Sequence, residues 1–265
     1  MIQIRDMDAT DEYFVGTCSH VHESDEIDAC AQRRVAWFHD AHAQGFRAKV
    51  ALLDGQRVGV LYVLPIEICP WGPLGQDLLV VPCLFVQQDA AGKGAGKALM
   101  AEAEKETWRQ GRKGLVTMAY YHDFWFMPAS FFEGCGFAVA KRRGNEALLW
   151  KVLDPPAQAP EFLEPAYHFA PVPGKVVVDL FWNVFCETSD IEAQRVREVV
   201  QEFGDAVLLH EYDAHERAVL LCHQRARGIF VNGKQIGWGY EAPKAGIREA
   251  ISQALLAQEH NNLLD

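Results

Sequence analysis

Two β-rich runs, Ala48-Lys-Val-Ala-Leu-Leu53 and Val58-Gly-Val-Leu-Tyr-Val-Leu64, flank Asp54-Gly55 and predict a hairpin. The apolar run Leu78-Leu-Val-Val-Pro-Cys-Leu-Phe-Val86 predicts one long buried strand, and a helix follows over Gly96–Trp108. Gly114–Tyr121 and Glu146–Leu153 read as further strands. Near the N-terminus the acidic run Glu23-Ser-Asp-Glu-Ile-Asp28 opens a helix, with Ser24 as its cap and acids in its first turn. Beyond residue 174 the pattern changes to strands at 175–182, 206–212, 228–231 and 235–238, interleaved with helices at 189–203, 214–223 and 244–257. Asn232-Gly233 turns the last two strands into a hairpin.

Composition divides the chain in two. Six of its 12 prolines (Pro155, Pro156, Pro160, Pro165, Pro171 and Pro173) fall in one short stretch, which suits an extended linker. The predicted organisation is a first domain over 1–154, a linker over 155–174 and a second domain over 175–265. With 265 residues, 49% of them hydrophobic, two cores can be filled. Phe162, Leu163, Tyr167 and Phe169 suggest that the linker lies against one of the domains. No apolar run reaches the roughly 18 residues of a membrane span and no signal pattern opens the chain, so a cytoplasmic protein is expected, with no membrane partner. Seven cysteines without paired spacing agree with a reducing compartment. A net charge of −11 argues against nucleic acid as a partner. Cys18-x-His20-x-His22 with Cys30, and His39-x-x-His42, match no structural zinc spacing, and no metal is expected.

The most specific local signal lies between the long strand and its helix, where Gly92, Gly94 and Gly96 alternate with Lys93, Ala95 and Lys97. A helix start has backbone N–H groups without intrahelical partners and the positive end of the macrodipole, and glycines let an anion approach them closely. No Gly-Lys-Ser/Thr closes the loop and the six-residue dinucleotide spacing is missing. Gly-x-Gly-x-Gly after a valine-ended strand instead resembles the acetyl-CoA loop of the GNAT (Gcn5-related) N-acetyltransferases. Phe131-Phe-Glu-Gly-Cys-Gly-Phe137 is similar to that family's second signature. The order of hairpin, long strand, glycine loop with helix, strand, short helix and closing strands over residues 1 to about 153 resembles the family throughout.

This resemblance implies an α/β (α+β) fold with a central mixed, mostly antiparallel sheet, and acetyl-CoA as co-substrate. Backbone groups of Leu84, Phe85 and Val86 would hold the pantetheine arm, and amides from Gly92 through Lys93, Gly94, Ala95 and Gly96 to Lys97 the pyrophosphate. The amine of a small molecule or protein would attack the thioester directly, and a homodimer is among the compatible assemblies. The chain departs from the pattern at Ala91, at Trp125 and Pro128, and at Phe132, where a tyrosine commonly protonates the departing thiolate. Candidate proton carriers are therefore sought nearby: His122 and Tyr121, with Tyr120 and Asp123, at the end of the fifth strand, and Glu67. Cys83 and Cys135 read as small core residues. The contrasting reading is a non-catalytic CoA- or thiol-sensing protein with a degenerate acyltransferase domain.

The second domain resembles a thioredoxin-like module, as in YoaP-type acetyltransferases, where one follows a GNAT domain. On that alignment Cys186 takes the place of the attacking cysteine, Ser189 replaces the resolving one, and Arg227 stands for the cis-proline facing the active sulfur. A helix N-terminus and Arg227 would both favour the Cys186 thiolate, making it a reactive monothiol; a structural or partner-docking domain, or metal or metalloid capture, are the alternatives.

Overall fold

The computed structural model describes residues 1–18, 20–122, 126–237 and 240–262. The readings placed on Asp123, Trp125 and Trp238 lie outside the described residues. The chain divides into two units, Met1–Leu163 and Glu164–Asp265. Among the described residues no helix is long and apolar enough to cross a membrane.

The first unit runs β1 (Ile2–Asp6), α1 (Glu12–Gly16), α2 (Asp25–His42), β2 (Arg47–Leu53), β3 (Gln56–Pro65), β4 (Leu78–Val80), β5 (Leu84–Val86), α3 (Ala95–Arg109), β6 (Gly114–Tyr120), α4 (Ala129–Glu133), β7 (Ala138–Arg143) and β8 (Glu146–Val152). The sheet order is β1-β2-β3-β4-β6-β8-β7, with β5 also pairing β3. Only β4 and β6 are parallel; the other neighbours are antiparallel. It is thus a mixed, mostly antiparallel sheet. Ser24 accepts from the Ile27 N–H at 3.2 Å and so caps α2, and the β2–β3 hairpin turns at Asp54-Gly55.

Each face of this sheet has its own core. Leu61, Val63, Leu79, Leu115 and Leu149 pack with Leu99, Met100 and Ala103 of α3 and Phe132 of α4. On the other face Trp37 and Phe38 of α2 meet Phe46 and Tyr62, with the Phe38 and Phe46 rings stacked 4.8 Å apart. Buried Arg34 lies over the Phe38 ring and donates to the Gly16 carbonyl, which offsets the cost of enclosing its charge.

Two sequence expectations need correction here. The run Leu78–Val86 is not one strand, because Val81-Pro82-Cys83 interrupts it; Pro82 has no N–H to give a ladder. The proline-rich stretch does not lie on a single domain. Glu161 bridges Leu74 through two backbone bonds of 2.8 and 2.9 Å and Phe162 sits under Arg143, whereas Tyr167 belongs to the second unit.

The second unit runs β9 (Val176–Trp182), α5 (Glu187–Glu202), β10 (Val207–Asp213), α6 (Arg217–His223), β11 (Gly228–Val231), β12 (Lys234–Ile236) and α7 (Lys244–Asn262). Its sheet order is β10-β9-β11-β12, with β10 parallel and β11 antiparallel to the central β9. Val176, Val178 and Leu180 face Val196, Val199 and Ile247 in an aliphatic core. The alternate residues Asp179 and Phe181 point the other way. There the Tyr167 hydroxyl donates to Asp179 at 2.7 Å, and its ring lies 4.1 Å from that of Phe230.

Candidate active site

The break between β4 and β5 creates a cleft. Through Val81 the chain stays bonded to β6: the Val81 N–H donates to Val116 O and the Thr117 hydroxyl to Val81 O, both at 2.8 Å. Past Cys83 it pairs with β3 instead. Tyr62 N–H donates to Cys83 O (3.2 Å) and Gln87 N–H to Val58 O (2.8 Å), so the bonding residues of this antiparallel pair alternate through Phe85. By the same alternation the N–H and C=O groups of Leu84 and Val86 point to the edge that β6 has left. An extended ligand can pair there as an extra strand would.

The cleft alongside has a volume of about 1030 Å³. Its walls are β5, the loop from Gln88 to Lys97, and Met127, Pro128, Phe131 and Phe132. At its end α3 begins behind Gly94, which adopts φ +92°, a conformation that glycine takes without strain, and no side chain caps the helix. Nothing intrahelical accepts from the Ala95, Gly96 and Lys97 N–H groups, and no acid occupies the first turn. Lys93 and Lys97 add positive charge. A Cβ at Gly96 would lie 3.1 Å from the Phe131 ring, so the bare backbone is what keeps this passage open. An apolar trough leading to an uncapped helix start suits a ligand with an extended amide-bearing arm and a phosphate end.

The structure places the predicted cleft residues together: Leu84, Phe85, Val86, Gly92, Gly94, Ala95, Gly96 and Lys97 all line it, and Lys93 lies within the same loop. The proton carriers are less closely grouped. His122 is exposed just past the end of β6, its ring stacked 5.2 Å from that of Tyr120. Burial, then the nearby Glu146 carboxylate, push the Tyr120 phenol up to about 12. The Tyr121 hydroxyl donates to Glu133 at 2.5 Å, which raises its pKa, and Arg142 lies over its ring. Glu67 is not brought to the cleft. It follows β3 beside the start of β4, accepting from the Asp77 N–H (2.8 Å) and from Arg112 through both oxygens (3.0 Å). Phe132, standing where a tyrosine was sought, is 1% exposed and closes the cleft against Phe131 and Phe137.

Cys83 and Cys135 are half-buried instead of enclosed. Met127 and Phe131 line the cleft without having been named as candidate site residues, although Phe131 opens the Phe131–Phe137 signature and Met127 stands just before it. On the opposite face of β3 the sequence reading missed Tyr62, whose hydroxyl donates to Val15 O at 2.7 Å and lies 3.7 Å from Cys18 Sγ. Burial foremost holds this phenol protonated.

In the second unit Cys186 is the residue immediately before α5, so the helix begins two residues earlier than predicted. Its sulfur lies 3.1 Å from the Thr188 hydroxyl, which accepts from Arg227 at 2.8 Å. The Arg227 charge is itself paired with Glu192 at 2.7 Å. Ser189 is buried, and its hydroxyl accepts from the Asn183 N–H at 3.0 Å.

No family model matches the chain. No curated protein matches it either. Similar solved structures include a PaiA N-acetyltransferase from Thermoplasma acidophilum in complex with coenzyme A, at 15% identity over 58% of this chain and 99% of that one, TM-score 0.42. YncA from Salmonella typhimurium, a putative acetyltransferase with its cofactor acetyl-CoA, is 18% identical over 60% and 97%, TM-score 0.45. A ribosomal-protein-alanine N-acetyltransferase from Brucella melitensis is 19% identical over 57% and 99%, TM-score 0.44.

Proposed function

We propose that the first unit is an acetyl-CoA-dependent N-acetyltransferase that moves an acetyl group to the amine of a small-molecule or protein acceptor. The observation that carries this reading is the cleft, with the free edge of β5 on one side and the uncapped start of α3 at its end. The pantetheine amides pair with Leu84 and Val86, and the pyrophosphate takes the N–H groups from Gly94 to Lys97. The amine attacks the thioester carbonyl, the C–S bond breaks, and the amine's proton leaves through a base while the thiolate gains a proton. His122 is the base in this reading, because its ring is exposed at the strand end. Tyr121, which keeps its proton under the influence of Glu133, serves as a donor. Glu67, ion-paired away from the cleft, has a structural role.

Calorimetric titration with acetyl-CoA tests the binding step, with Gly96→Val as the blocked control. Product detection by mass spectrometry over a panel of amines tests the transfer. Saturable binding without any product would favour the non-catalytic CoA-sensing alternative.

For the second unit we propose a thioredoxin-like module with Cys186 as its single active-site thiol. Support comes from the β-α-β-α-β-β-α order around a central β9 and from Cys186 at the start of α5. Alkylation of Cys186, mapped by peptide, should outpace that of a free cysteine and slow in Arg227→Ala. Equal rates in both proteins would leave the domain structural.

A further inference from the structure

Arg225 differs from four of the other five arginines of the second unit. Arg195, Arg197, Arg227 and Arg248 are each ion-paired with a glutamate, Glu241, Glu211, Glu192 and Glu202 respectively. Arg225 pairs with no carboxylate and makes no side-chain hydrogen bond among the described residues, and its Nε is buried without an acceptor. What surrounds it is aromatic: the guanidinium carbon lies 4.9 Å from the centre of the Phe230 ring and 5.8 Å from that of Phe181. Its stem passes over Gly228, where a Cβ would sit 3.6 Å from Arg225 Cδ.

A guanidinium presents five N–H donors in a planar fork and has no way to shed its charge. Ring faces attract the positive charge but accept none of those hydrogen bonds. Burial accordingly acts to lower the Arg225 pKa, and the Tyr167 phenol only partly opposes it. Asp179 does not relieve this, because its oxygens are engaged by Tyr167 at 2.7 Å, His210 at 3.0 Å and Tyr212 at 3.4 Å. Further donors adjoin the fork. The Gln224 amide accepts the Glu164 N–H through Oε1, and among the described residues its NH₂ group and the N–H groups of Arg225 and Ala226 find no acceptor. Donors outnumber acceptors throughout this loop, which is the composition of an anion site.

We propose that Arg225, with the Gln224 amide and the neighbouring backbone N–H groups, binds the oxyanion of a small ligand, a phosphate or a carboxylate. The site belongs to the second unit and goes beyond acyl transfer in the first. The planar fork takes two oxygens of the anion, while Phe181 and Phe230 hold the guanidinium flat.

The test uses the full chain labelled with ¹⁵N-arginine and reads the Arg225 Nε–Hε resonance, assigned by its loss in Arg225→Lys. Inorganic phosphate and succinate are titrated separately at constant ionic strength kept with sodium chloride. A saturating shift of this resonance by one of the two, with a dissociation constant of about 1 mM or tighter, is the expected result and names the source of the oxyanion. A resonance that stays still, or drifts linearly with both anions, overturns the proposal. Because the signal reports on one side chain of the second unit, its outcome is independent of whether acetyl-CoA binds the first.

Discussion

Replacing Lys49 by Met tests how the glycine loop's helix is fastened to the sheet. Lys49 of β2 and Glu106 of α3 are 1% and 5% exposed, and Lys49 Nζ lies 2.8 Å from Glu106 Oε2 and 2.5 Å from Asp6 Oδ1. Burial alone would raise the Glu106 carboxyl, but hydrogen bonds from Lys49, Gln110 and Arg109 outweigh it and bring the group from the ordinary 4.5 to about 2. A depression of that size is worth about 3 kcal/mol at neutral pH. Since the folded pKa lies below the unfolded one, this stability is present in full above about pH 5 and is lost as pH falls toward 2. Lys49→Met removes the largest of the stabilising contacts and leaves a buried carboxylate with Arg109 and Gln110, and with Arg47 at 3.8 Å. The expected cost approaches about 3 kcal/mol, or a fall of about 6–12 °C in the melting of the first unit. Adding Glu106→Leu to Lys49→Met should recover much of the loss, because no charge is then left buried. Calorimetry at pH 7 and at stepped acid pH provides the assay. A single variant melting within about 2 °C of the parent at pH 7, or a parent whose stability does not fall between pH 5 and 2, refutes the reasoning.

Tyr167→Phe removes the 2.7 Å hydrogen bond to a carboxylate that is 3% exposed, and should cost about 1.5–3 kcal/mol in the second unit by chemical denaturation. Ser24→Ala removes the α2 cap and should cost about 1 kcal/mol in the first. Arg112→Met should lower stability and leave the acetyl-CoA dissociation constant unchanged, since its partner Glu67 lies away from the cleft; a weakened constant would return Glu67 to the site.

Much of this architecture was legible in the chain. The Asp54-Gly55 hairpin, the Ser24 cap and the glycine loop are local patterns, and each formed where its residues stand. The wall formed by β5 and the loop was legible for the same reason, since the two are contiguous, whereas the wall from Met127 to Phe132 comes from a separate segment. Long-range pairing was not legible. Nothing around Glu67 announces Arg112, which lies 45 residues away and fixes its carboxylate. Nor does the alternation of the β9 residues show that the strap carrying Tyr167 returns to cover Asp179. The break at Pro82 was visible as a proline in an apolar run, but the run's hydrophobicity outweighed it in the reading. Physically, that proline ends one ladder and lets β5 begin another, which opens the cleft.

The central claim is that the glycine loop and the free edge of β5 hold a CoA thioester. Isothermal titration of the intact protein with acetyl-CoA should give one saturable site on a folded wild type, and at least about tenfold weaker binding, some 1.4 kcal/mol, for Gly96→Val of unchanged circular dichroism. An absence of binding to the wild type, or equal affinity for both proteins, would contradict it.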